Sequence, residues 1–385
     1  MGYDAAQIEV LEGCEAVRRR PGMWVGSTGE RGLHQLVFEV VGRAVSEVVA
    51  AGARSVEVTL TSDGGVRVAD DGPGVPFEAP ATGDTGGPGL EAELTSLQTG
   101  AGPSGRHLVV VGHFIVGLLA VNALSSRLTA EVRREGVRRV QEYARGVALA
   151  PPLAAGAANG SGTTIAFWPD AEIFETTRCS FAVLAERFRQ VAFLNPGLEI
   201  ALTDERPAGG ARAVRFRFPE GVRDYVAALD AEAGANLHPN VIGFEREDPR
   251  MAGTMEVALQ WSGTRQERVR GFTNSRPTPE GGSHVDGFRD GVVAAITEYA
   301  RKRGLLTAVD PHPLADLIGE GLTAIVSVKL DRPEFLGATR GLLANSEVRA
   351  CVGEAVQDRL EAWFEGHPEQ AMELVDRIVR GVHQN

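Results

Sequence analysis

The sequence predicts an α+β fold in two domains, 1–218 and 219–385, and three observations carry that expectation. The stretch 33–52, LHQLVFEVVGRAVSEVVAAG, places apolar residues at 33, 36, 37, 40, 41, 44, 45 and 48, the spacing of one helix face. Two runs rich in β-formers follow at 55–61 and 66–70, with Gly64-Gly65 between them as a hairpin turn. After a junction at Pro219-Glu220-Gly221, strand-like stretches (254–261, 267–273, 321–330) mix with helix-like ones (282–303, 346–365, 368–382). Such a mixture layers helices on mixed or antiparallel sheets. With 385 residues, the chain is long enough for two separate cores.

The remaining elements fall into place along the chain. Residues 8–20 read as a short helix closed by a turn at Pro21-Gly22. Residues 77–112 are rich in Gly, Ala, Pro and Thr around a short helical piece at 89–100. A stretch this long and weakly patterned is either a functional lid or a disordered loop. An apolar helix is expected at 116–126, then strands at 127–134, 137–147 and 162–168. A helix at 180–193 and strands near 198–203 and 213–218 complete the first half. The first domain should be a helix layer over an eight-strand mixed sheet. The sequence shows no internal repeat.

Composition narrows the function. A net charge of −12 opposes non-specific nucleic-acid binding by the chain as a whole. Lys302 and Lys329 are the only lysines, so a phosphate-gripping lysine would have to be one of these. Cys14, Cys179 and Cys351 are scattered, which argues against a disulfide framework and against a zinc site. No apolar run is long enough to span a bilayer, and MGYDAAQIEV does not read as a signal peptide. A cytoplasmic protein without a membrane partner is expected.

The chemistry gathers in two places. Glu39 and Arg43 lie one turn apart on the 33–52 helix, and the strand at 66–70 runs into Asp70-Asp71-Gly72-Pro73-Gly74. A helix carboxylate followed by Asp-x-Gly-x-Gly at a strand end outlines a nucleotide-binding ATPase site. Taken alone, the two glycines are equally well a plain turn, Glu39 a solvated helix carboxylate, and Arg134 one of the solvated run RREGVRR.

The ordered series YDAAQIEVLEGCEAVRRRPGMWVG, LHQLVFEVV, ADDGPGVP, AVNALS, GTTIAFWP, FTNSRPTPEGGSHVDGF and EGLTAIVSVKL resembles the N-terminal half of bacterial DNA gyrase B, over nearly the whole chain. That resemblance implies a GHKL-type ATPase α/β sandwich followed by a ribosomal-S5-domain-2-like transducer domain. It implies ATP as ligand, a homodimer made by exchange of N-terminal arms, a gyrase subunit as a possible partner, and only indirect contact with DNA. The family's DNA-cleaving chemistry resides in a further domain, so this chain alone is not expected to cut DNA. Residue by residue, Glu39 matches the general base that activates water. Asp70 matches the acceptor of the adenine amino group, assisted by Thr163 and the turn glycines Gly72 and Gly74. Gly117 and Asn122 match the helix after the lid, whose N-terminus can meet phosphate. Arg134 matches an arginine at the rim of the adenine pocket, where coumarin antibiotics also bind. Tyr3 and Ile8 match the exchanged arm.

The phosphate end departs from the pattern. Arg43 stands at the family's magnesium-binding asparagine, and a guanidinium cannot bind a cation, so no metal ligand set is expected and Mg2+ is in doubt. Gly42 replaces an acidic residue, Gln35 a histidine beside the base, and Pro73 an arginine near adenine. Ile115 sits in the glycine-rich lid end, where a β-branched residue resists positive φ. No lysine lies in the lid, although Arg106 is a candidate substitute. The transducer's Gln-Thr-Lys reads Ala338-Thr339-Arg340, with Arg340 keeping the charge. Arg43 is placed to pair with Glu39 or Glu47 at i±4, and pairing with Glu39 would lower that carboxylate's pKa; contact with phosphate is the rival.

The expectation is a gyrase B-like ATP-binding module with hydrolysis weak or lost, acting as a dimerising clamp or regulatory partner. Its alternatives are a working ATPase subunit with cleavage domains on another chain, and a non-enzymatic coumarin-binding protein.

Overall fold

The computed structural model describes residues 13–78, 89–97, 105–113, 115–231, 237–306, 318–337 and 339–384. The chain divides into two compact units. The first takes the described residues before 105, then Leu108–Ala192 and Gly197–Arg217; the second takes Gly105–His107, Phe193–Pro196 and the described residues from Phe218 onward.

In the first unit, α1 (Gly13–Arg19) and α2 (Pro21–Val25) precede α3 (Glu30–Ala51). Pro21-Gly22 therefore begins a helix rather than a turn, as a proline at the first helical position permits. Helix α3 stops at Gly52, which adopts the left-handed conformation with φ 69°. Its apolar stripe, Leu33, Leu36, Val37, Val40, Val41, Ala44, Val45 and Val48, is buried. So are the alternate residues of β1 (Ser55–Leu60) and β2 (Val66–Asp70). Each fully buried Val or Leu of this layer contributes on the order of 1.5–3 kcal/mol.

The sheet has nine strands among the described residues, with path β5-β4-β3-β7-β2-β1-β8-β9 and β6 paired to β4. Its further strands are β3 (Ser125–Arg134), β4 (Val137–Ala144), β5 (Val147–Ala148), β6 (Leu153–Ala157), β7 (Gly162–Pro169), β8 (Glu199–Asp204) and β9 (Arg212–Arg217). Strands β1 and β8 run parallel and the other pairs antiparallel, so the sheet is mixed. Strand β6, LAAGA, was not legible in the sequence: it is exposed along its whole length and has no inside–outside alternation. Short helices α4 (Leu90–Thr95) and α5 (Leu118–Ala123) and helix α6 (Phe181–Phe193) complete the helical elements of this half. The 116–126 stretch is a shorter helix than expected, because Ser125 already begins β3.

The second unit has a five-stranded sheet, β10-β11-β14-β12-β13, in which β12 and β14 are parallel. These strands are β10 (Ile242–Asp248), β11 (Gly253–Trp261), β12 (Arg268–Thr273), β13 (Arg276–Pro277) and β14 (Leu322–Leu330). Helices α8 (Ser283–Lys302), α9 (Ser346–Gly366) and α10 (Pro368–Gln384) contribute to one core with them. Helix α7 (Val222–Ala231) builds a smaller core with Phe193, Leu194 and Phe272. There Phe193 stacks on Phe218 at 3.6 Å and on Tyr225 at 4.6 Å. The hairpin β15 (Phe335–Leu336) and β16 (Leu342–Leu343) carries Thr339 and Arg340 in its turn.

Candidate functional site

Strand β2 delivers Asp70 to the edge of the α3 layer, where the residue is 5% exposed. Its Oδ1 accepts the amides of Gly72 (3.0 Å) and Thr163 (3.1 Å). Its Oδ2 accepts nothing among the described residues. Burial raises the Asp70 pKa above its ordinary value, and the charge of Arg43 and the two amides oppose the shift. The result is a fixed, desolvated acceptor, suited to a ligand edge that donates.

The glycine turn is required by geometry. A Cβ on Gly72 would lie 2.9 Å from Asp70 Oδ1, and Gly74, at φ 76°, would drive a side chain into the carbonyl oxygen of Arg133. Thr163 Oγ1 accepts the Val75 amide at 3.2 Å and fixes the turn from β7. Arg134 is not merely a solvated charge: its Nη1 donates to the Gly74 carbonyl at 3.1 Å while Nε pairs with Glu135.

Glu39 lies further along α3 and is engaged by the protein itself. Its Oε1 accepts the Gly117 amide at 2.9 Å and its Oε2 the Val116 amide at 3.1 Å. Gly117 has φ 85° and immediately precedes α5. Burial raises the Glu39 pKa against the pull of these amides. Of the two i±4 partners expected for Arg43, Glu47 is found and Glu39 is not, so the lowering of the Glu39 pKa by such a pair does not arise. Arg43 donates from Nε to Glu93 Oε2 at 2.9 Å, and its Nη2 lies 3.7 Å from Glu47. Glu93 comes from α4, 50 positions away in sequence, and offers a buried acceptor that a single helix cannot.

A second correction concerns Asn122. It lies on α5 as expected, but its side chain is fully buried and donates to the Leu94 carbonyl at 3.0 Å, fastening α5 to α4. In that position it is an interior tie and not a phosphate ligand.

Sequence reasoning missed the residues that hold the stretch before Gly117. Ser46 Oγ accepts the Val109 amide at 2.9 Å and donates to the Gly42 carbonyl. Gln35 Oε1 accepts the His113 amide at 3.2 Å. Arg187 Nε donates to the Val111 carbonyl at 2.6 Å. A Cβ at Gly42 would sit 3.0 Å from the Val109 carbonyl oxygen, a close approach of this segment to α3 that favours glycine. A small residue and a serine one turn apart was the available signal. Ile115 is exposed at the end of this stretch.

The residues present do not fit a magnesium ion. Among the described residues no three carboxylates, histidines or cysteines are grouped to hold a metal, and the space beside Glu47 and Glu93 contains the Arg43 guanidinium.

In the second unit, Thr339 Oγ1 donates to Glu280 at 2.6 Å and its carbonyl accepts Arg276 Nη2 at 2.7 Å. Arg340 adopts φ 49°, a left-handed conformation uncommon for a non-glycine residue. Arg106 is not a free lid cation: it donates to Asp331 through Nε and Nη2 and to Glu247 through Nη1, all within this unit. Tyr3, Ile8 and Ala338 lie outside the described residues.

A helix layer on a mixed sheet, with a helix carboxylate and an Asp-x-Gly-x-Gly turn beside it, defines the GHKL class of ATPase fold, here followed by a transducer-type α+β unit. A family model for DNA gyrase B matches residues 221–385. The DNA gyrase B protein of Streptomyces coelicolor is 43% identical over 99% of this chain, and the novobiocin-resistant gyrase B of Streptomyces niveus is 41% identical over 98%. The chain spans 58% of the length of either relative. Among solved structures, the 43K ATPase domain of Thermus thermophilus gyrase B, in complex with an aminocoumarin, superposes with a TM-score of 0.82 at 32% identity, covering 97% of this chain and 95% of that one. The ATP-binding domain of Francisella tularensis topoisomerase IV, in complex with a small-molecule inhibitor, gives 0.80 at 27% identity, covering 97% and 98%. The chain belongs to the DNA gyrase B family, in the region of its N-terminal ATPase and transducer. Among the described residues no helix is long and apolar enough to cross a membrane.

Proposed function

We propose that this chain is the ATP-binding module of a gyrase B-type type II topoisomerase, with hydrolysis weak or lost. Residues 1–218 form the nucleotide module and 219–385 the transducer. One observation carries the proposal: Asp70 is buried with Oδ1 committed to two amides and no partner on Oδ2 among the described residues. The adenine amino group is the donor that such an oxygen selects, and a guanine carbonyl in its place would be rejected. Weak hydrolysis is supported by Glu39, whose oxygens each already accept an amide, and by Arg43, which is held by Glu93. Phosphoryl transfer depends on positioned charge, and these groups are positioned for other partners.

In this proposal Glu39 keeps the general-base position with both oxygens already accepting amides, and Gly117 keeps the phosphate turn. Thr339 and Arg340 stand at the positions of the family's phosphate-sensing segment. Tyr3 reaches the nucleotide of a second copy. The protein is a cytoplasmic homodimeric clamp or a regulatory partner of a gyrase subunit, with DNA contacted indirectly. Calorimetric titration with ATP, ADP, adenosine and guanosine tests it. The three adenine compounds should bind and guanosine should not; binding by none, or by guanosine equally, overturns it.

A second reading is binding of an aminocoumarin without turnover. Arg134, which braces the Gly74 carbonyl at the turn, favours it, as does the Thermus thermophilus relative solved with such a compound. Saturable aminocoumarin binding with no binding of adenosine would select that reading over the first.

A further inference from the structure

Arg43 is an arginine enclosed by acid. Glu93 accepts from Nε at 2.9 Å, Glu47 lies 3.7 Å from Nη2, and the carboxylate of Asp70 is close enough to feel its charge. The side chain is 9% exposed, so the guanidinium is nine-tenths buried. Yet only Nε makes a hydrogen bond among the described residues, and Nη2 is sealed from solvent without one. A guanidinium carries five N–H donors in a rigid fork, and a buried donor without an acceptor is costly. The fold therefore holds a charged fork by its stem nitrogen and leaves Nη2 without a hydrogen-bond acceptor. The two carboxylates nearest this position, Glu47 and Glu93, already face this cation. A magnesium ion demands near-octahedral oxygen at about 2.0–2.1 Å, which a guanidinium in the same space excludes by volume and by charge.

We propose that Arg43 is the resident cation of the nucleotide site, so that the site takes adenine nucleotides free of divalent metal, with Nη2 of Arg43 uncovered on nucleotide entry to meet a phosphate oxygen. This rests on the reading of the first unit as an adenine-nucleotide site. An arginine fork matches phosphate bidentately, whereas the asparagine of the family pattern serves a metal. Glu93 holds the fork in place from α4.

The test is calorimetric titration of the unmodified chain with ADP and with adenosine, each in Mg2+ and in EDTA. The ADP dissociation constant should agree within about twofold between the two buffers, because no metal bridge is lost. Weakening by about tenfold or more in EDTA overturns the proposal. Adenosine separates the two levels: if it fails to bind, the nucleotide reading falls, whereas adenosine binding with metal-dependent ADP binding sinks the resident cation alone. Arg43→Met removes the charge at similar length. In EDTA it should weaken ADP by about tenfold more than it weakens adenosine, which carries no phosphate. Equal losses for both ligands would assign Arg43 to packing and overturn the proposal. If Arg43→Met does not fold, the metal comparison on the unmodified chain decides.

Discussion

The two ends of the first unit's site treat their charged groups differently. At the base end, Asp70 gives one oxygen to the turn amides and keeps the other without a partner among the described residues. At the phosphate end, both oxygens of Glu39 hold the amides of Val116 and Gly117, and Arg43 is tied to Glu93 through Nε alone. The base end is built from β2 and β7, strands in the middle of a nine-stranded sheet, where a changed residue disturbs the ladder on both sides. The phosphate end sets Glu39 and Arg43 of the long helix α3 against partners on two six-residue helices and the chain leading to them, and those partners can be retied without touching the sheet. Recognition and chemistry can thus diverge within one fold, because they rest on elements of different rigidity.

Four substitutions or conditions break or sharpen this contrast. The largest effect is expected from Gly74→Val. A left-handed residue with a carbonyl against its Cβ position should cost at least about 1–3 kcal/mol of stability and abolish adenosine binding. A chemical denaturation curve and adenosine affinity both matching the unmodified chain would show that the turn is not constrained.

Next comes Asp70→Asn, which replaces an acceptor-only group by an amide. Adenosine affinity should fall by about 1–3 kcal/mol, the cost of a mismatched buried polar group. Unchanged affinity would remove Asp70 from base recognition.

Acid separates folding from binding at the same residue. The folded Asp70 pKa lies above its ordinary value of 3.8 because burial disfavours the charge. The neutral form is thus favoured by folding, so this group's contribution to stability is present below the unfolded pKa and lost as pH rises through the folded one. Adenosine binding needs the charged form and should decline as pH falls, beginning above 3.8. A binding profile that is flat down to that value contradicts the assignment.

The smallest effect is expected from Arg43→Asn alone. It restores the family's asparagine but leaves Ile115 and the altered 338–340 segment, and such groups act non-additively. Hydrolysis should barely change. Adding Gly at 115 and Gln-Thr-Lys at 338–340 should raise it further, measured as phosphate release. A single substitution giving the full rate would localise the difference to one position.

Much of the framework was legible because it depends on local pattern. The stripe on α3, the β1–β2 hairpin and the Asp70 turn each fit within a short window of sequence. Helix α7 and strand β10 were missed. Strand β10 is exposed through Glu245–Glu247 and lacks the inside–outside alternation that marks a half-buried strand, and the Pro219-Glu220-Gly221 signal before α7 read only as a junction. Partner choice was the least legible. The i+4 rule offers Arg43 only Glu39 and Glu47, whereas the tertiary fold brings Glu93 closer than either. Asn122 likewise sits on the expected helix but faces inward to Leu94, an orientation that spacing alone does not determine.

The central claim is that adenine recognition is kept while Glu39 and the metal position no longer serve hydrolysis. Steady-state phosphate release from ATP, with Mg2+ and DNA present, tests it most directly when the unmodified chain is run beside Glu39→Ala. The account predicts that both release phosphate at the same slow or undetectable rate while the unmodified chain still binds adenosine. Robust magnesium-dependent turnover by the unmodified chain, abolished by Glu39→Ala, would contradict it and make the chain a working gyrase-type ATPase.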